Sequence, residues 1–152
     1  MSDMKLNAKR ILVPVNGDPA TDQAFRWACH LARHSKAQLH AVHVIEVPLD
    51  LPLEEENPEA IAKSEEILGR IEAIAADEKC KDFQADSLRA RHAGPAIALE
   101  TEDRHMDAVI VGIPYRHRFG SCSLGSTATY IFNNATCQVI LWRERAPNLV
   151  YA

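Results

Sequence analysis

The chain of 152 residues has the size of one domain with a full core, so residues 1–152 are read as a single unit with tails at 1–8 and 144–152. Its apolar share of 47% and charged share of 25% are those of an ordinary globular protein. A net charge of −4 works against non-specific nucleic-acid binding, which needs many phosphate-neutralising lysines and arginines.

The N-terminal MSDMKLNAKR lacks the apolar segment of a signal peptide, and no apolar run approaches the ~18–20 residues that cross a bilayer. Ile11 to Val15 is strand-like, although Pro14 has no amide hydrogen and suits a central strand only where pairing has ended. Asp18-Pro19 offers an N-cap and a proline at the first helical position, and Phe25, Ala28, Cys29 and Ala32 recur at helical spacing. Leu39 to Val47 is a second strand. Pro48 to Glu56 is an acidic, proline-bearing loop, expected to be mobile at the surface. Asn57-Pro58 repeats the capping device before Ile61, Ile67, Leu68, Ile71 and Ile74.

Asp86 to His92 alternates Leu88, Ala90 and His92 with Arg89 and Arg91, the period of a half-exposed edge strand. Gly94-Pro95 opens a short helix through Ile97 to Arg104. Ala108 to Val111 and Gln138 to Trp142 are the last two strands. Between them Ser126 caps a helix with Ala128, Ile131, Phe132 and Ala135 on one face.

The order βαβαβαβαβ predicts an α/β fold of flavodoxin or Rossmann type. This is an open five-stranded parallel sheet, order 3-2-1-4-5, with helices on both faces. Ligands in such sheets sit beyond the carboxyl ends of the strands, where the strand order reverses. That point gathers Pro14-Val15-Asn16-Gly17 and the chain from Gly112 onward.

The stretch GIPYRHRFGSCSLGSTATY, Gly112 to Tyr130, therefore falls where a ligand is expected, and it holds three of the six glycines. Gly120 to Thr127 matches the phosphate-loop pattern GxxxxGKS/T except that Ser126 stands in the lysine position, so a P-loop NTPase is rejected. Another spacing fits. Gly112, two residues, Tyr115, nine residues and Gly125-Ser126 give G-x2-G-x9-G-S/T with tyrosine at the second glycine.

That spacing resembles the nucleotide-binding members of the universal stress protein family. ILVPVNG resembles the family's first strand and LHAVHVIEV its second. HAGPAIAL resembles its turn into the third helix, DAVIVG its fourth strand, and NATCQVILWR its last helix end and fifth strand. The resemblance implies a flavodoxin-like domain that dimerises through its last strand. It also implies ATP, AMP or a related adenine nucleotide as ligand, with Mg as an optional companion. The adenine would lie near Pro14, Val15, Asn16 and Val44; ribose and phosphates would lie on Gly112, Gly125, Ser126 and Thr127. GIPYRHRFG is similar, more loosely, to universal-stress domains found alone or fused to bacterial amino-acid permeases, which implies a membrane transporter as partner.

Two positions depart from the pattern. Asn16 replaces an aspartate and so loses a charge that could hold Mg²⁺ or the adenine amine. Tyr115 either closes the site or lines it. Arg116 and Arg118 can offset the missing glycine, because guanidinium forks match phosphate oxygens in pairs.

The remaining chemistry-bearing residues have plainer readings. His30 and His34 lie i, i+4 on a helix, without the glutamate of HExxH or an evident third ligand, and no metal site is assigned. His43 is a core or pocket histidine, Glu54-Glu55-Glu56 a loop charge run, and Cys122 an incidental cysteine near a helix start. The four cysteines show no CxxC spacing, and free thiols suit the cytoplasm. With no nucleophile–base pair in view, the expectation is a binding module without catalysis. A nucleotide-independent interaction module and a slow ATP hydrolase are the alternatives.

Overall fold

The computed structural model describes residues 8–118 and 121–147, with backbone only for 117, 118, 121 and 122. The chain runs β1 (Arg10–Pro14), α1 (Pro19–Ser35), β2 (Gln38–Glu46), α2 (Pro58–Asp77), β3 (Phe83–Ala90), α3 (Ala93–Asp103) and β4 (Ala108–Ile113). A two-stranded ribbon, β5 (His117–Arg118) and β6 (Ser121–Cys122), precedes α4 (Ser126–Asn134) and β7 (Gln138–Arg143). The five long strands form one parallel sheet in the order β3-β2-β1-β4-β7, the flavodoxin-like 3-2-1-4-5 arrangement. The ribbon inside the glycine stretch is antiparallel and was not foreseen from the sequence.

Side-chain alternation along the strands splits the core into two layers. Ile11, Val13, Leu39, Ala41 and Ile110 pack with Phe25 and Cys29 of α1 and Ile67 and Ile71 of α2. Leu12, Val42, Val109 and Val111 pack on the other face with Ile97 of α3 and Ile131 of α4. Both proline-led helices start as their sequences demand. Asp18 Oδ1 accepts from the Ala20 amide at 2.8 Å, and Asn57 Oδ1 accepts from the Glu59 amide at 3.0 Å.

Pro14 is reconciled with a central strand by the direction of its missing donor. The Val15 amide donates to the Val42 carbonyl at 2.9 Å, so odd-numbered amides of β1 face β2 and the Pro14 nitrogen faces β4. Pairing with β2 continues to Pro14↔Val42, but pairing with β4 ends at Leu12↔Val109. The proline stands where a ladder donor has no acceptor to meet.

Three expected boundaries move. The edge strand covers 83–90 rather than 86–92, because Phe83 anchors it against Phe25 with ring centroids 5.9 Å apart. Its half-exposed alternation is present as expected. Helix α3 begins at Ala93, whose amide donates to Glu46 Oε2 at 3.0 Å. Glu144, placed by the sequence in a tail, gives its amide to the Ile113 carbonyl at 3.0 Å, and Ala8 is buried.

The acidic loop after β2 is tied down by edge arginines. Arg91 Nη1 donates to the carbonyls of Pro48 (2.6 Å) and Leu51 (2.7 Å), and Arg89 Nη1 to that of Glu54 at 3.0 Å. The arginines grip backbone carbonyls and leave the carboxylates exposed. Among the described residues no helix is long and apolar enough to cross a membrane.

Two histidines of β2 carry a pH dependence. Buried His40 has Nδ1 at 3.4 Å from Arg104 Nη1, and its Nε2 lies 3.2 Å from Asp86 Oδ2 without hydrogen-bond geometry. Burial, then the Arg104 charge, holds its pKa below the ordinary value; burial, then Lys63, does the same to His43. The unfolded chain therefore takes up these protons first, and stability falls as pH drops below about 6.5. Urea midpoints should decline from pH 7 to pH 5, with NMR titration midpoints of both imidazoles below that of a free histidine; a flat profile would contradict the burial argument.

Candidate functional site

Because β1 and β4 separate after Leu12, a cleft opens at the carboxyl end of the sheet where strand order reverses. It is a cavity of about 290 Å³. One wall is Pro14, Val15 and Asn16 following β1. A second is the end of β2, from Val42 to Val44 with Glu46. The floor and far wall are Gly112, Arg116, Gly125, Ser126 and Thr127, and α3 closes the side with Ala93 and Ile97.

Nine of the eleven residues singled out from the sequence thus meet in one cavity: Pro14, Val15, Asn16, Val44, Gly112, Arg116, Gly125, Ser126 and Thr127. Tyr115 is not among the lining residues. Its amide donates to Glu144 Oε2 at 2.9 Å, and the Arg143 guanidinium lies over its ring at 5.1 Å, so the ring is engaged at the end of β7. The side chains of Arg118, His117 and Cys122, and Gly120 altogether, lie outside the described residues.

The two motif glycines are required for different reasons. A Cβ on Gly112 would stand 2.8 Å from the Ala20 carbonyl oxygen and 2.8 Å from Ala24 Cβ, so helix α1 crosses β4 too closely for any side chain. Gly125 has φ 83° and ψ 163°, a conformation nearly confined to glycine, and it is the N-cap of α4. Ser126, expected as the cap, is instead the first helical residue, and no side chain caps the helix. The first amides of α4 therefore have no side-chain acceptor, and Gly125, Ser126 and Thr127 line the cavity. The Arg116 guanidinium lies alongside, its Nη1 3.1 Å from where a Gly125 Cβ would be.

At the β1 end, Asn16 is fixed by its own turn. Its Oδ1 accepts from the Asp18 amide at 2.9 Å and lies 3.2 Å from Thr21 Oγ1, while its backbone amide donates to Thr21 Oγ1 at 3.3 Å. From α2, Arg70 holds this turn in place: Nη2 donates to the Gly17 carbonyl at 3.1 Å and Nε to Asp22 Oδ2 at 3.2 Å. His43 Nδ1 lies 2.8 Å from the buried Ser64 hydroxyl, and burial, then the Lys63 charge, holds its pKa below the ordinary value.

Sequence reasoning missed Glu46 and Thr21 as wall residues. Both follow from topology, since Glu46 ends the strand next to the switch point and Thr21 faces Asn16 from the first turn of α1. Among the described residues no group of three or more histidine, cysteine or acidic side chains is placed to hold a metal ion.

An open doubly wound sheet with a polar cavity at its reversal and a free helix start facing it defines a flavodoxin-like α/β domain. The sequence model of the universal stress protein family matches residues 7–143, and the chain belongs to that family. A comparison with curated proteins found no match.

Solved structures share the fold. A universal stress protein from Archaeoglobus fulgidus is 22% identical, with TM-score 0.73, covering 87% of this chain and 96% of that one. The structure of the universal stress protein from the same organism in complex with dAMP is 18% identical at TM-score 0.69, covering 87% and 95%. A universal stress protein family protein from Arabidopsis thaliana with AMP bound is 18% identical at TM-score 0.66, covering 91% and 93%.

Substitutions at the two glycines should separate packing from conformation. Gly112→Ala forces α1 off the sheet and should lower urea-unfolding stability by about 1–3 kcal/mol. Gly125→Ala should cost on the order of 1–3 kcal/mol through its backbone angles. Neither change leaving the midpoint untouched is compatible with this geometry.

Proposed function

We propose that the chain is a nucleotide-binding stress protein whose cavity takes an adenine nucleotide. The observation that carries the reading is the pairing of the uncapped α4 start and Arg116 with the Asn16 turn, across one cavity at the switch point. The family membership and the AMP- and dAMP-bound relatives support it. In this reading the base rests against Pro14, Val15, Asn16 and Val44. The phosphate meets the amides after Gly125, the hydroxyls of Ser126 and Thr127, and Arg116.

Tyr115 neither closes nor lines this site in the reading, because its ring is engaged with Arg143 outside the cavity. Arg118 is kept as a second phosphate donor on its position in the motif. Binding by itself needs no turnover.

The protein acts through a homodimer formed at β7. This strand is the outer edge of the sheet, and Val139 to Trp142 are only half-buried in the isolated chain. A facing edge strand would pair their open amides and carbonyls.

Thermal-shift and calorimetric titrations with adenine nucleotides, with chromatography of ligand released on heating, test the binding. Arg116→Gln should weaken it roughly tenfold or more, the worth of a charge-assisted hydrogen bond. Tyr115→Gly should lose about 0.5–1 kcal/mol of stability with no gain in affinity. An empty cavity and no shift with any adenine nucleotide would leave the interaction-module reading, with a transporter's cytoplasmic face as one partner to assay. Phosphate release that Gly125→Val abolishes would favour the slow hydrolase.

A further inference from the structure

The charge arrangement of the cavity sets which form of the nucleotide it accepts, an inference that rests on the nucleotide reading above. A magnesium-bound polyphosphate is held by hard oxygen ligands, commonly one or two carboxylates from the protein beside the phosphates. Two lining residues bear on this at the strand ends, Asn16 and Glu46.

Asn16 offers no oxygen. Its Oδ1 is taken up by the Asp18 amide at 2.9 Å and the Thr21 Oγ1 at 3.2 Å. This bonding fixes which end of the amide is which. The side chain therefore presents Nδ2, two N–H donors that no described residue accepts. An aspartate here would make the same turn with one oxygen and present the other to the cavity as an anion. The change from acid to amide thus converts one wall from a cation ligand to a hydrogen-bond donor, with the backbone unchanged.

Glu46 is the remaining acid. Its Oε2 accepts from the Ala93 amide at 3.0 Å, at the start of α3, where a helix dipole already compensates its charge. It stands with the end of β2, on the opposite wall from the glycine motif. No set of three acidic or histidine side chains among the described residues gathers around a point. The positive side of the cavity is supplied by Arg116 next to Gly125.

Mg²⁺ therefore does not fit this donor set. We infer that the cavity is built for a cation-free adenine nucleotide anion, typified by the monophosphate. Arg116 and the α4 amides neutralise its phosphate, and Asn16 Nδ2 donates to an acceptor atom of the ligand. Among the described residues magnesium then gains no carboxylate beside the phosphates, and by masking the phosphate charge it removes part of what Arg116 recognises.

Calorimetric titration of the full-length protein with AMP and with ATP, each in excess magnesium chloride and in excess EDTA, tests this. AMP should bind with the same affinity in both, within roughly twofold, and ATP no more tightly with magnesium than without. Asn16→Asp, which keeps the turn, should weaken AMP and make ATP binding at least about tenfold tighter in magnesium than in EDTA. Thermal unfolding of the variant shows that it is folded.

Native ATP binding that magnesium strengthens tenfold overturns the inference while the nucleotide reading stands. So does an Asn16→Asp protein, folded and binding, that remains indifferent to the metal. Binding of no nucleotide to the native protein under either condition removes the nucleotide reading itself, and this inference with it.

Discussion

Beyond Leu12 and Val109 the first and fourth strands no longer exchange hydrogen bonds, and the architecture of the site follows from that parting. A parallel sheet whose order reverses between two strands must send their continuing chains to opposite sides. Here the next amide that β1 would have offered to β4 belongs to Pro14, and it does not exist. The chain turns instead at Asn16-Gly17, while β4 runs on beside β7 to Ile113↔Arg143. The cleft is the space left between a strand that stops early and one that does not.

What surrounds the cleft holds it to one shape. Helix α1 sits so close to β4 that only glycine is accommodated at position 112, which locks the first helix and the fourth strand together. Arg70 ties α2 to the Gly17 carbonyl, so the Asn16 turn is braced from a helix that follows a different strand. Asp107 Oδ2 accepts from the amides of Lys9 and Arg10 at 2.9 and 3.0 Å, fixing the start of β1 to the start of β4. With the strands joined at one end and parted at the other, the opening is a property of the sheet rather than of its loops. A ligand would meet a pre-formed cavity, which reduces the ordering cost of binding.

How much of this could be read from the sequence depended on the range of the interaction that decided each feature. The central strands announced themselves as continuous apolar runs, and Asp18-Pro19 and Asn57-Pro58 as helix starts, because caps and burial on both faces leave local marks. The spacing from Gly112 to Ser126 picked out residues that the structure places along one cavity. Contacts between distant segments left no such mark. Arg143 and Glu144, far along the chain, decide where the Tyr115 ring and amide go. The cap of α4 falls on Gly125 because the chain arrives there with a positive φ, which Ser126 as a residue type cannot reveal. Arg89 and Arg91 looked like the solvent face of an edge strand, and what they hold is the backbone of the loop before α2. Glu46 looked like the last residue of a strand, and its role at the α3 start needed the third dimension.

The same distinction bears on Asn16. At the level of sequence, asparagine for aspartate is the loss of a charge. In the structure the shared part of the two side chains, one oxygen on the Asp18 amide, is committed to the turn, so the difference lies in the other atom, Nδ2. A polar group held by one atom and free at another converts a single substitution into a change of ligand chemistry without a change of fold. In the proposed reading it joins Arg116 as a donor to the ligand, and Glu46, the one acid among the described lining residues, accepts at a helix start. A pocket of donors selects for acceptors, and phosphate oxygens without a metal are the strongest acceptors a nucleotide carries. The turn that keeps Asn16 in place and the proposed preference for a bare anion thus trace to one hydrogen bond.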